Sequence, residues 1–403
     1  MKKHARLYLA LLCGSAAVAA ALAAPQSPDQ EEYLARSRQF SERMEATGLA
    51  APFTGVTTDG RVVPGLYEVR STGVSTAPVV EAAGALLRTL DAETRDRTLF
   101  AIDADEWRKW ANQHIYFREG LSFDAMTPAQ REAAFGMLGA SLSARGLQQT
   151  RDIMHLNETL GELNGDNFVE YGDGKYWVSI MGEPSATEPW GWQLDGHHLN
   201  LNYFVLGDQV VMTPAFWGSE PAVATSGKYA GTRIMDAEQD AGLAMVRALT
   251  PGQRAEAVLE TSKPGNNILA QAFSDNLVLD YAGVRVSSFS AEQKRRLLDL
   301  VGLYVGNMRE GHARVRMSEV ESRLDDTYFV WIGGTEDDSV FYYRIHSPVI
   351  LVEFDHETPV GLRHLYPNAP YREHIHSVVR TPNGNDYGKD LLRQHYMAHP
   401  HGE

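Results

Sequence analysis

His374 and His376 are separated by the single residue Ile375 and run directly into Ser377, Val378 and Val379. On a strand, side chains two positions apart share a face, so both imidazoles would point one way at a separation that one metal ion spans. Ile375 would then point into a core. A third ligand must come from another segment. His198 and His346 are candidates, and so is His197. On a regular strand the neighbours His197 and His198 face opposite ways, so only one joins a shared site unless a bulge at Gly196 rotates the other. Glu353, with Asp355 and His356 close by, offers a carboxylate. Two or three imidazoles with one carboxylate and an open position suit a divalent transition metal, Zn, Fe or Cu, without choosing among them.

The stretch Trp190 to Pro214 would supply the rest of such a site. Leu199, Leu201 and Tyr203 alternate with Asn200 and Asn202, the period of a strand with one face in a core. His198, Asn200 and Asn202 then share a polar face that reads as a pocket wall, with Trp190, Trp192 and Trp217 as walls for an apolar or planar substrate. Asp195 and Glu353 are the candidate general bases or orienting carboxylates. Arg380 is a candidate catalytic cation, and Asp386 and Lys389 are candidate ligand-binding groups at a strand-loop-helix junction. Asp386 is also placed as the N-cap of a helix from about Tyr387 to Tyr396.

Several chemistries are excluded. Phe216 to Pro221 reads FWGSEP and lacks the second glycine of a nucleophile elbow. There is no H-E-x-x-H, no dinucleotide fingerprint, no P-loop and no haem attachment motif. The one cysteine, Cys13, lies in an N-terminal apolar run, Leu7 to Leu22, that follows Lys2, Lys3 and Arg6 and ends at Ala21, Ala23 and Ala24. That pattern predicts a secretory signal peptide over residues 1–24, and a periplasmic or secreted chain with no membrane attachment after cleavage. Without a mature cysteine, disulfides, zinc-thiolate sites and a cysteine nucleophile drop out. Removing Lys2, Lys3 and Arg6 takes the formal charge of −15 to −18, which argues against nucleic acid and anionic membranes as partners; the expected partner is a small-molecule substrate or ligand.

The elements that must position these residues follow a repeating order. After an N-terminal peripheral segment (25–111), with a helix from Asp29 to Thr47 and a hairpin expected between Thr54 and Val74, Thr127-Pro128 opens a helix with Gln130 completing a capping box. A second helix and the strand Lys175 to Met181 lead to the Trp190 stretch. Ser290, Ala291 and Gln293 begin the same sequence of elements again. Counting 151 residues on from Trp192, Leu199, Leu201 and Tyr203 reaches Tyr343, Ile350, Val352 and Phe354, and Val210 to Pro214 match Val378 to Pro382. The reading is an α+β fold of internally duplicated helix-helix-strand-strand units with a mainly antiparallel sheet. Its two halves span about 120–220 and 285–396 within a domain covering 112–403, and Ala237 to Leu249 and Gly252 to Thr261 bridge them as helices.

PWGWQLDGHHLNLNY, TPAFWGSEP, FVWIGG, FYYRIHSPVILVEFD and HIHSVVRTPNGNDYGKDLLRQHY occur in this order, and together they resemble the bacterial domain-of-unknown-function family catalogued under the number 3500. The resemblance covers about Asn112 to Tyr396. Asp195, Gly196, His197, His198, His374, His376, Asn385, Asp386 and Gly388, which typify that family, are all present. It implies an exported protein without an established reaction. Two functions are expected from the residues: an exported metal-dependent hydrolase or oxidoreductase, or an exported protein that binds a metal or small ligand without turnover.

Overall fold

The computed structural model describes residues 28–399, so the signal-peptide expectation, Cys13 and His401 lie outside the described residues. The chain begins with α1 (Pro28–Gly48), α2 (Ala77–Arg88), α3 (Ala92–Thr98), β1 (Leu99–Phe100) and β2 (Leu121–Ser122). Two helices follow, α4 (Pro128–Ser141) and α5 (Ala144–Leu163), and then β3 (Tyr176–Met181), β4 (Trp190–Gly196), β5 (Leu199–Leu206), β6 (Gln209–Val211) and β7 (Ala215–Ser219). Next come α6 (Asp236–Arg247), α7 (Pro251–Ala257), β8 (Val258–Glu260) and β9 (Val284–Arg285). The chain continues through α8 (Ala291–Val305), α9 (Glu310–Ser322), β10 (Tyr328–Gly333), β11 (Phe341–His346) and β12 (Leu351–His356) to β13 (Ile375–Arg380) and α10 (Lys389–Ala398). Among the described residues no helix is long and apolar enough to cross a membrane.

Among the described residues the strands form one mixed, mostly antiparallel sheet in the order β1-β3-β4-β5-β7-β13-β12-β11-β10-β8, and the ten helices described with it make an α+β fold. Both expected capping boxes are present, Thr127 with Gln130 at the start of α4 and Ser290 with Gln293 at the start of α8. Each satisfies two backbone donors that the first helical turn leaves without a partner. A third, Thr250 with Gln253, opens α7.

The alternation in the strands sorts the two faces of the sheet. Trp192, Leu194, Leu201, Tyr203, Trp217, Val352, Phe354, Ile375 and Val379 join one apolar cluster with the inner faces of α2, α4, α5, α6 and α8. The residues between them, Gln193, Asp195, Asn200, Glu353, Asp355 and Arg380, point the other way and bind the backbone of two irregular segments, 101–120 and 262–283. Gln193 donates to the Trp107 carbonyl at 3.0 Å, and Asn200 donates to the Ala111 carbonyl at 3.1 Å. Glu353 accepts from the Ala270 amide at 2.7 Å and Asp355 from the Ile268 amide at 3.0 Å, while Arg380 donates to the Ala270 and Gln271 carbonyls. A segment without regular structure carries backbone groups that no ladder or helix satisfies, and a polar sheet face lets it be buried.

Four expectations are corrected. The Trp190 stretch, expected to run as one long strand from Trp192 to Val205, is a hairpin in which β4 and β5 turn at His197-His198. Thr54 to Val74 makes no hairpin but an irregular crossing tied down by a bridge between Thr57 and Val278. The expected helix from Gly252 to Thr261 stops at Ala257, and Val258–Glu260 passes into the sheet as β8 beside β10. Val210 and Val211 sit in β6 on β5, whereas Val378 and Val379 lie in β13, so that proposed match is out of step; the register pairs Val379 with Ala215.

Candidate metal centre

His198 occupies the second position of the β4–β5 turn with φ of 62°. A non-glycine residue in the left-handed region is uncommon and costs energy, and such positions concentrate at functional sites. The turn is held from both sides. The His198 amide donates to the Asn112 carbonyl at 3.1 Å, and its own carbonyl accepts from the Gly218 amide of β7 at 2.8 Å. β7 in turn pairs with β13, with Gly218 opposite His376. A Cβ on Gly218 would stand 2.3 Å from the Ile375 carbonyl oxygen, so this close approach of the two strands needs glycine. His374 immediately precedes β13, and Ile375 points into the helical core as expected.

These contacts bring three imidazoles to one point. The Nε2 atoms of His198 and His376 are 3.0 Å apart, those of His374 and His376 3.1 Å, and those of His198 and His374 3.3 Å. Nitrogens bound to one ion at about 2.0–2.1 Å stand roughly 3.3 Å apart in a tetrahedral arrangement and roughly 2.9 Å apart in an octahedral one. The observed triangle fits that range.

The outer nitrogens explain what the triangle needs. His374 Nδ1 lies 2.7 Å from the Thr358 carbonyl oxygen, which can only accept, so Nδ1 carries the proton and Nε2 presents a lone pair. His376 Nδ1 lies 3.2 Å from the Glu357 carboxylate, close enough for a charge contact but without the geometry of a hydrogen bond. The His374 lone pair faces His376 Nε2 across 3.1 Å, a separation at which both nitrogens can bind one cation. Burial and the neighbouring imidazoles hold His198 well below the ordinary histidine range, and burial with His376 lowers His374. His198 and His374 are therefore favoured in the neutral form, the form that binds metal. All three are buried, and the group could hold a metal ion.

Two carboxylates stand behind the ligands. Burial pushes the Glu357 carboxyl up, but His376, with His374 and Lys263, more than offsets this and leaves it below its ordinary value. Its other oxygen accepts from Asn266 at 2.8 Å. Glu220, 3.8 Å from His374 Nδ1, accepts from the amides of Val360, Gly361 and Leu362 and anchors the segment that carries Thr358. Neither glutamate was singled out from the sequence. A signal existed for Glu357, because Glu353, Asp355 and Glu357 continue one face at period two.

The other sequence candidates lie elsewhere. His197 stacks on His198 with ring centroids 3.9 Å apart, and its Nδ1 faces Asn157 Oδ1 at 2.8 Å. His346 is at the far end of β11 against Tyr281, in register with Leu351 and through it with Arg380 rather than with His376. Asp195 is paired with Arg118 at 3.2 Å, and burial raises its carboxyl to about 6. Glu353 accepts from Tyr342 at 2.6 Å, and Arg380 pairs with Asp275 at 2.8 Å and Asp386 at 3.3 Å. Asp386 accepts from the Thr381 amide and does not cap α10, whose N-cap is Gly388. Lys389 starts α10 and is lowered by burial. Trp190, Trp192 and Trp217 belong to the core on the helical face, and Asn202 bonds Gln193 and the Pro214 carbonyl.

The fold and site thus define an α+β protein with a buried three-histidine cluster on the sheet face opposite α2, α4, α5, α6 and α8. The chain belongs to the family described as protein of unknown function, DUF3500, which matches residues 72–389. The match starts at residue 72 and so takes in α2 and α3, ahead of the Asn112 at which the sequence resemblance begins. No curated protein and no solved structure matches the chain.

Proposed function

We propose that the protein is an exported metal-dependent enzyme whose divalent transition-metal ion is held by His198, His374 and His376. The observation that carries this reading is the convergence of three Nε2 atoms within 3.3 Å of one another, that of His374 fixed as a lone-pair donor by the Thr358 carbonyl. Three neutral imidazoles leave the full charge of the ion uncompensated and at least one coordination position for water or substrate, as catalytic centres require. The chemistry this supplies is activation of a bound water for hydrolysis, or binding of dioxygen or another oxidant. Asp195, Glu353 and Arg380 act in this account as anchors for the covering segments, and the carboxylate nearest the ligands is Glu357.

A second reading is a binding protein without turnover. It is favoured by burial, since His374 is 1 % exposed and His376 6 %. Cobalt(II) substitution separates the two. On the enzyme reading, azide added to the cobalt-loaded protein shifts the visible bands, because a coordination position exchanges. A spectrum that azide leaves unchanged at saturating cobalt favours the closed binding site.

The duplication belongs to the same proposal. Supporting it, β3-β4-β5-β7 and β10-β11-β12-β13 are arranged in mirrored order about the β7–β13 pair. β1 runs parallel to β3 as β8 does to β10, and β2 and β9 pair antiparallel with the same two strands. On this reading the metal centre is asymmetric, built from one hairpin turn of the first half and the start of the last strand of the second.

A further inference from the structure

On the opposite, helical face of the sheet, a cavity of about 380 Å³ lies between β7, β13 and α9. That is within the span of small-molecule sites, roughly 300–1,000 Å³. Ala215, Trp217 and Val379 belong to its lining, while Phe216, the neighbour of Trp217, packs its ring 5.0 Å from that of His376. One layer of sheet therefore separates the cavity from the metal centre.

The roof is the informative part. A helix laid over an apolar sheet face normally turns an apolar stripe toward it. α5 does so with Ile153, Met154, Leu156 and Leu160. α9 instead directs Arg316 and Glu319 into the cavity lining, joined by its C-cap residue Arg323. Charged groups facing an enclosed space are costly unless they meet water or a ligand of opposite sign. Arg316 is held in place: it donates to the Val349 carbonyl at 2.6 Å, to Thr381 Oγ1 at 3.1 Å and to Glu319 at 2.8 Å. These bonds occupy three of its five N–H groups. Beside it His312, 4 % exposed, makes no well-formed hydrogen bond from either ring nitrogen, although the backbone of Val74 and Asp208 lies alongside. Glu319 is already matched by Arg316, so the positive charge of Arg323 is left over on this face of α9.

We infer that this cavity is a second ligand site, which binds a small organic anion: a carboxylate or sulfonate on a flat apolar body. The charged group sits against Arg316 and Arg323, whose planar guanidinium groups suit such oxygens. The apolar body lies along Val379, Met308 and Val315. The site is independent of the metal centre.

Calorimetric titration of the full chain with naphthalene-2-sulfonate tests this. The wild type should show one saturable site. Arg323→Met, at a half-buried position, should weaken it at least tenfold, and Val315→Trp, which fills the cavity, should remove it, both with an unchanged melting temperature. His374→Ala with His376→Ala should bind the probe as the wild type does, which separates this proposal from the metal reading. No saturable binding by the wild type, or undiminished binding by a folded Val315→Trp variant, overturns the inference.

Discussion

The Nε2 atoms of His198 and His376 lie 3.0 Å apart, although 178 positions separate the two residues in the chain. What joins them is β7: Gly218 donates its amide to the His198 carbonyl on one side and pairs with His376 on the other. The site therefore depends on backbone registers as much as on the ligands, and on the carboxylates behind them.

Glu357 faces the outer nitrogen of His376. A carboxylate there orients the ring and strengthens its donor nitrogen, and losing such a group typically lowers metal affinity about 10–100-fold. Glu357→Gln, which can still accept from Asn266, should show that loss in competition with a chromophoric chelator while the melting temperature of the metal-free protein holds. Equal affinity in the variant would remove Glu357 from the account.

Arg380 is 0 % exposed and satisfies Asp275, Asp386 and two backbone carbonyls. Arg380→Met leaves the buried Asp386 carboxylate without its cation, while Asp275 keeps Arg108 at 2.9 Å, and breaking a buried pair in this way costs about 3–5 kcal/mol. Urea unfolding should report a loss of that order. A change under about 1 kcal/mol would mean that the pairing is not the anchor described, because surface-like positions respond that weakly.

Much of the fold was legible because its signals are local. The capping boxes at Thr127 and Ser290, the period-two alternation of β5 and the H-x-H spacing each concern a few neighbouring residues. The polar sheet face was recognised, but its partner was not. Asp195, Asn200, Glu353 and Arg380 looked like a pocket wall, and they are the seats of segments 101–120 and 262–283, whose landing place no local pattern encodes. The Trp190 stretch was taken for one strand because apolar residues alternate on both sides of His197-His198 with no glycine or proline in the turn itself. His346 looked equivalent to the true ligands, yet β11 is two strands from β13, and its register places His346 level with Arg380. At about 4.8 Å per strand and 3.3 Å per residue, that puts it on the order of 16 Å from His376.

His346 instead gives a pH dependence. Burial lowers it to about 3 from an ordinary value of 6.5, so the unfolded chain binds the proton more readily. The stability this contributes is present above pH 6.5 and is lost as pH falls toward 3, on the order of 2–3 kcal/mol by pH 4.5. Comparing urea unfolding of the wild type and His346→Phe at pH 7.5 and 4.5 isolates the effect, since the other titrating groups are common to both. The wild type should lose more stability on acidification, by that amount. Parallel losses would contradict it.

The central claim is tested most directly by elemental analysis of the wild-type protein and the His374→Ala, His376→Ala double variant, purified identically without chelators. The account predicts close to one equivalent of a single divalent transition metal in the wild type, and less than about a tenth in a variant that remains folded, because a site reduced to one imidazole holds no ion tightly. A wild type with under a few tenths of an equivalent, unchanged in the double variant, would contradict the metal centre.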